Sequence, residues 1–194
     1  MSFALNKKII VPGFIVLLII TILFTFAGNK GDKIQELKVY GDHLLYANAN
    51  ELEEDADLII VGHTQKDFKE FPATINYNND GRYSDYYTVT DVRITKVIKG
   101  EYSKDTIPVT QRAALDKNKN ILIINEDCTI MERGKPYLLF LKKIDLKDTY
   151  GIMSIDQGKF NIDNTDTKEK EIGQSNIQYK NLKEDVLEKF KQHI

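Results

Sequence analysis

Two hydrophobic patterns divide this chain. From Ile9 to Ala27 the residues IIVPGFIVLLIITILFTFA form an apolar run without a charge. At 1.5 Å per residue a helix over this run spans about 28 Å, close to the thickness of a bilayer's hydrocarbon core. After Gly28 the apolar residues come in short bursts between turn formers, the pattern of a polar domain rich in strands. Residues 9–27 therefore read as a transmembrane anchor, with residues 1–8 as a cytoplasmic stub. Lys7 and Lys8 stand uncompensated before the run, whereas Asp32 and Glu36 dilute Lys30 and Lys33 after it. This bias puts the N-terminus inside and the domain outside a cell membrane. The competing reading is a signal peptide cleaved near Ala27, with secretion of the rest. The run exceeds the usual signal-peptide core of roughly 7–15 residues, which favours the anchor.

Residues 28–49 read as a polar juxtamembrane linker. Asn50 is placed to cap a short helix, with Glu51, Glu53 and Glu54 in the first turn where the helix dipole favours acids. Leu58-Ile59-Ile60-Val61-Gly62 follows, a continuous apolar run expected of a strand covered on both faces. Gln65 to Asp85 reads as a long loop or irregular hairpin around Asn76-Tyr77-Asn78-Asn79-Asp80-Gly81. The longest strand candidate runs from Tyr86 to Ile98. Its apolar residues change parity between Val89 and Val92, which predicts a bulge near Thr90-Asp91. Thr106 to Gln111 alternates, and Pro108 within it predicts an edge position or a bulge. Further strands are expected at Ile121–Ile124, Tyr137–Leu141 and Tyr150–Ile155. Residues 161–180 read as an exposed polar segment. Residues 181–194 carry Leu182, Val186, Leu187 and Phe190 at helical spacing, an amphipathic helix packed on the domain or offered to a partner. Five or six strands, one of them long and bent, point to a small, mainly β barrel over residues 50–160.

The chain has 27 Lys and Arg against 29 Asp and Glu, too balanced for a nucleic-acid binder. Cys128 is the sole cysteine, so the domain rests on packing and not on internal disulfides. Asp127, Glu126 and Glu132 stand near it in sequence and oppose thiolate formation, so a structural thiol is expected.

Several stretches together resemble a known family. Glu53-Glu54-Asp55-Ala56-Asp57-Leu58-Ile59-Ile60-Val61-Gly62-His63-Thr64, Tyr87-Thr88-Val89 through Val97-Ile98-Lys99-Gly100, Arg133-Gly134-Lys135-Pro136-Tyr137-Leu138-Leu139-Phe140-Leu141 and Gln157-Gly158-Lys159-Phe160 stand in that order. The series is similar to bacterial extracytoplasmic domains related to the tissue inhibitors of metalloproteinases. The resemblance covers about residues 50–160 and implies an OB-like Greek-key β-barrel. It does not carry inhibition, because the animal inhibitors chelate zinc through an N-terminal cysteine and no cysteine lies near the start of this domain.

Catalytic chemistry is hard to find. Asn76-x-Asn78-x-Asp80-Gly81 imitates a calcium loop but has Tyr87 where the bidentate Glu belongs. His43, His63 and His193 lack metal-ligand spacing, and no serine lies in a G-x-S-x-G context. No cofactor motif is present. The surface candidates are aromatic: Tyr77, Tyr83, Tyr86 and Tyr87 cluster around the long loop, where OB-like barrels take their ligands. Tyr83, Tyr86, Tyr87 and His63 are thus the candidate binding residues, with Tyr86 or Tyr87 as barrel filling the competing reading. The function expected is a non-catalytic binding module at the bacterial cell envelope, its partner a protein or peptide or else a glycan. The alternative is an envelope enzyme or metal-dependent protein using His63 with acids brought close by folding.

Overall fold

The computed structural model describes residues 33–41, 44–126, 128–145, 148–155 and 157–194. The anchor expected at Ile9–Ala27, its orientation and His43 lie outside the described residues. Among the described residues no helix is long and apolar enough to cross a membrane. The chain divides into Met1–Ile34 and Gln35–Ile194, and the second unit holds all the elements that follow.

Its strands are β1 (Gln35–Val39), β2 (Leu58–Thr64), β3 (Ala73–Tyr77), β4 (Tyr83–Lys99), β5 (Thr106–Gln111), β6 (Ala113–Asp116), β7 (Ile121–Asn125), β8 (Tyr137–Ile144), β9 (Thr149–Ile152) and β10 (Lys159–Asn161). Its α-helices are α1 (Ala49–Asp55), α2 (Thr167–Ser175) and α3 (Ile177–Phe190). Five strands close a barrel. β2 pairs antiparallel with β4 and β8, β4 with β5, β8 with β9, and a short parallel pairing of β5 with β9 completes the ring. β10 extends β8, and β3 forms a hairpin with the first half of β4. A separate sheet in the order β1-β7-β6 joins β1 to β7 in parallel.

The continuous apolar run of β2 has a direct cause. Leu58 and Ile60 point into the barrel with Val92, Ile107, Val109, Leu139 and Leu141. Ile59 and Val61 point outward and are covered by Leu52 of α1 and by Leu182, Val186 and Phe190 of α3. Apolar positions spaced by four along α3 thus bury one stripe against the sheet, as its sequence predicts. Phe190 meets Phe140 edge to face at 5.4 Å between centroids. Gly62 lies where a Cβ would stand 2.7 Å from the Arg93 carbonyl oxygen, and at Gly158 a Cβ would stand 2.7 Å from the Phe140 carbonyl oxygen. Neither position admits a side chain without backbone movement.

Five expectations are corrected. The cap of α1 is Asn48, not Asn50; its side chain accepts the N–H groups of Asn50 and Glu51. The β4 bulges fall near Thr95 and Ile98, where the register against β2 shifts, and pairing with β5 is continuous from Thr88 to Arg93. Tyr86, Thr88, Thr90 and Val92 share the buried face, so no parity change occurs there. Thr88 and Thr90 hide that face in the sequence because they are polar, yet their hydroxyls donate to the Ala113 and Val109 carbonyls at 2.8 and 3.1 Å. Ile121–Ile124 lies in the three-stranded sheet and not in the barrel, and the segment read as linker supplies that sheet's β1. The segment read as exposed and polar contains α2, and Asn161, Asp166 and Glu169 around it are buried because each finds a partner. Pro108, by contrast, lies where β9 has not yet begun to pair, so β5 has a single neighbour there.

Candidate functional site

The tyrosines expected to form one surface divide into three settings. Tyr77 and Tyr83 stand at the mouth of the β3–β4 hairpin, their rings 5.2 Å apart. Both hydroxyls donate to Oδ2 of Asp116, at 2.9 and 3.2 Å, and the Lys119 ammonium lies over both rings. Burial pushes the Asp116 carboxyl up, but the Tyr77 hydroxyl, the Lys119 N–H and the Tyr83 hydroxyl outweigh it and hold the pKa below the ordinary aspartate value. This corner joins the β3–β4 hairpin to the β6–β7 turn. Tyr86 is buried in the same seam, donates to Asn125 at 2.7 Å and carries the Arg112 guanidinium over its ring. It fills the space between the hairpin and the small sheet, not the barrel. Tyr87 lies on the opposite face of β4 and is half-buried.

His63 is half-buried near the end of β2, opposite Arg93. Among the described residues no group of His, Cys, Asp and Glu is arranged to hold a metal ion. Asn78, from the calcium-like segment, instead builds the hairpin turn: its side chain accepts the N–H of Arg82 at 2.8 Å and Gly81 takes a positive φ. Cys128 is buried, its thiol directed at the Thr129 carbonyl.

A buried polar network went unseen in the sequence. Lys159 is fully buried, donates to the Thr129 hydroxyl and lies over the Tyr137 ring. The Tyr137 hydroxyl donates to Asp166 at 2.8 Å and accepts the N–H of Glu132. Burial pushes its pKa up. Glu169 accepts the N–H of Asn161, the Tyr179 hydroxyl at 2.6 Å and the Lys183 ammonium at 3.0 Å. The network ties α2 and α3 to β8 and β10. One signal marks it: Asp166-x-x-Glu169 has the spacing of a helix cap, and Asp166 does accept the N–H of Glu169.

A broad concave surface lies elsewhere, between the end of β1, the end of β7, the turn before β10 and helices α2 and α3. It is a groove of about 670 Å³ whose wall includes Val39, Tyr40, Leu45, Ile155, Ile172 and Tyr179. It continues past Glu126, Ile172, Asn176 and Gln178 to Ile177. Three apolar side chains stand exposed at its rim, Tyr40 at 71 %, Leu45 at 52 % and Ile177 at 68 %, among polar Asn125, Glu126, Asn176 and Gln178. Local bonds hold the wall. Gln157 accepts the N–H of Tyr46 at 2.7 Å, and the Ser154 hydroxyl donates to the Leu44 carbonyl. Ser154 and Ile155 have φ of 45° and 63°, a left-handed conformation that is costly for a β-branched residue. His63 lines neither this groove nor its extension. No protein-family model, no curated protein and no solved structure gives a significant match to the chain.

Proposed function

We propose that this protein is a membrane-anchored, extracytoplasmic binding module without catalytic chemistry of its own, and that its groove takes an extended segment of an envelope protein. The observation that carries this reading is the groove itself. Exposed Tyr40 and Leu45 rim the groove and exposed Ile177 the depression that adjoins it, so apolar anchors alternate with hydrogen-bonding Glu126, Asn176 and Gln178, a mixture suited to docking a polypeptide. The adjoining depressions share Glu126, Ile172, Asn176 and Gln178, and a chain segment can run from one to the other where a compact metabolite cannot. The strained Ile155 in its wall is the kind of backbone feature that collects at ligand sites.

The barrel supports the same class of function. Its ring order β2-β4-β5-β9-β8, with a single parallel closure, is compatible with an OB-like Greek-key barrel, a scaffold widely used for binding. The motifs that resemble bacterial relatives of the tissue inhibitors of metalloproteinases fall on β2, β4, β8 and β10. Tethering through Ile9–Ala27 would hold the groove near envelope machinery.

Leu45→Asp and Ile177→Asp test the reading, because both side chains are exposed and exposed positions usually tolerate replacement. Each variant should melt close to the unaltered protein. Each should also lose the envelope proteins that the unaltered protein retains after mild crosslinking and purification in detergent. Retention of the same proteins by both variants would overturn the proposal.

A further inference from the structure

Strand β1 ends its sheet: it pairs with β7 on one side, and among the described residues no strand pairs with the other. Its residues Gln35, Glu36, Leu37 and Lys38 are exposed and Val39 is half-buried. The N–H of Gln35 bonds to Asn120 and the carbonyl of Val39 accepts from Glu126, so the odd-numbered residues spend their backbone groups on β7. Strand alternation then turns the backbone groups of Glu36 and Lys38 toward the open edge. A five-residue strand with an open row of donors and acceptors is a template for another strand.

We propose that two copies of this chain pair through β1, antiparallel, about a two-fold axis through Leu37. The proposal goes beyond the binding role of the groove and does not require that the groove have a partner. Charge decides both the occupant and the register. With the axis at Leu37, Glu36 of each copy faces Lys38 of the other, Gln35 faces Val39, and Leu37 faces Leu37. The open backbone groups of Glu36 and Lys38 then form the hydrogen-bonded pairs, and Leu37 forms the closer, non-hydrogen-bonded pair. Slipping the register by two residues in one direction sets Glu36 against Glu36. Slipping it in the other sets Lys38 against Lys38. An odd slip mismatches the open backbone groups. Only one register therefore satisfies backbone and charge together, and cross-strand charge pairs are favourable whereas like pairs are not. A lone edge lysine discourages pairing; with Glu36 two residues before it, Lys38 becomes half of a self-complementary pair. The Glu36 carboxylate already lies 3.4 Å from Lys168 of α2, and both groups are exposed, so that contact leaves an oxygen for a second cation. The product is a six-stranded sheet, β6-β7-β1 continued by β1-β7-β6 of the second copy. Its interface is isologous, the commonest kind in homodimers.

The test uses the full chain in mild detergent at high micromolar concentration. Leu37→Cys should give a covalent dimer on mild oxidation, because facing residues of a non-hydrogen-bonded pair lie within disulfide reach. Gln35→Cys, on the same face, should not, and the unaltered chain with its buried Cys128 sets the baseline. Light scattering should find that Lys38→Glu weakens self-association about tenfold or more, and that Glu36→Lys with Lys38→Glu restores it. A monomeric unaltered chain would overturn the proposal and mean that something else covers the edge. Equal crosslinking at positions 35 and 37, or failure of the exchanged pair to restore association, would overturn it as well.

Discussion

At position 166 an aspartate accepts the Glu169 N–H on one oxygen and the Tyr137 hydroxyl on the other. Burial raises its pKa, but the Glu169 N–H, the Tyr137 hydroxyl and the Lys159 charge outweigh it and hold it below the ordinary value. A group whose pKa falls on folding stabilises fully above its unfolded pKa, near 4 for aspartate, and loses that contribution as pH falls below it. Asp166→Asn should therefore cost about 1–3 kcal/mol at neutral pH. The difference from the unaltered protein should shrink as the pH drops below about 4. Urea unfolding at neutral and acid pH measures both, and an equal difference at the two would contradict the assignment. Asp166 and Glu169 read as surface residues, within a segment that itself reads as exposed, because charge ordinarily means exposure, and nothing local marks Lys159 as buried. Their partners Thr129, Tyr137, Asn161 and Tyr179 are spread along the chain, and local pattern does not bring them together. For Tyr77 and Tyr83 the aromatic clustering was legible, but their hydrogen bonds to Asp116 and the Lys119 ammonium over both rings needed the β6–β7 turn alongside.

Elements with a strong periodic signal were legible. β2, β8 and α3 follow from apolar runs and four-residue spacing, because each has to bury what it displays. β1 was not legible. QELKV has no apolar alternation, is mostly exposed, and is a strand because β7, distant in sequence, offers it hydrogen bonds. The groove was missed for the same reason, since its walls come from β1, the turn before β10 and the two C-terminal helices. Helix α3 matters most to the outer core. Phe190 is 3 % exposed and packs on Phe140 and the rest of the cluster over β2. Phe190→Ala should remove about 3–5 kcal/mol, read as a lower urea midpoint. A loss below about 1 kcal/mol would mean that α3 is dispensable to that core.

For the whole molecule, the barrel holds the three-stranded sheet and the terminal helices around the groove, and the proposed anchor at Ile9–Ala27 carries a topology that can be tested. An anchor with the N-terminus inside predicts that protease added to cells stripped of their wall degrades residues 33–194 while membranes stay sealed. Protection of the domain would reverse the topology, and a mature N-terminus at Gly28 would replace the anchor by a signal peptide. The central claim is that the groove, and not the tyrosine corner, meets the partner. Photo-crosslinking residues placed in living cells at Leu45 and Ile177, and separately at Tyr77 and Glu54, measure this most directly. The account predicts one discrete adduct with the same envelope protein from both groove positions and none from the other two. The same adduct from Tyr77, or no adduct from either groove position, would contradict it.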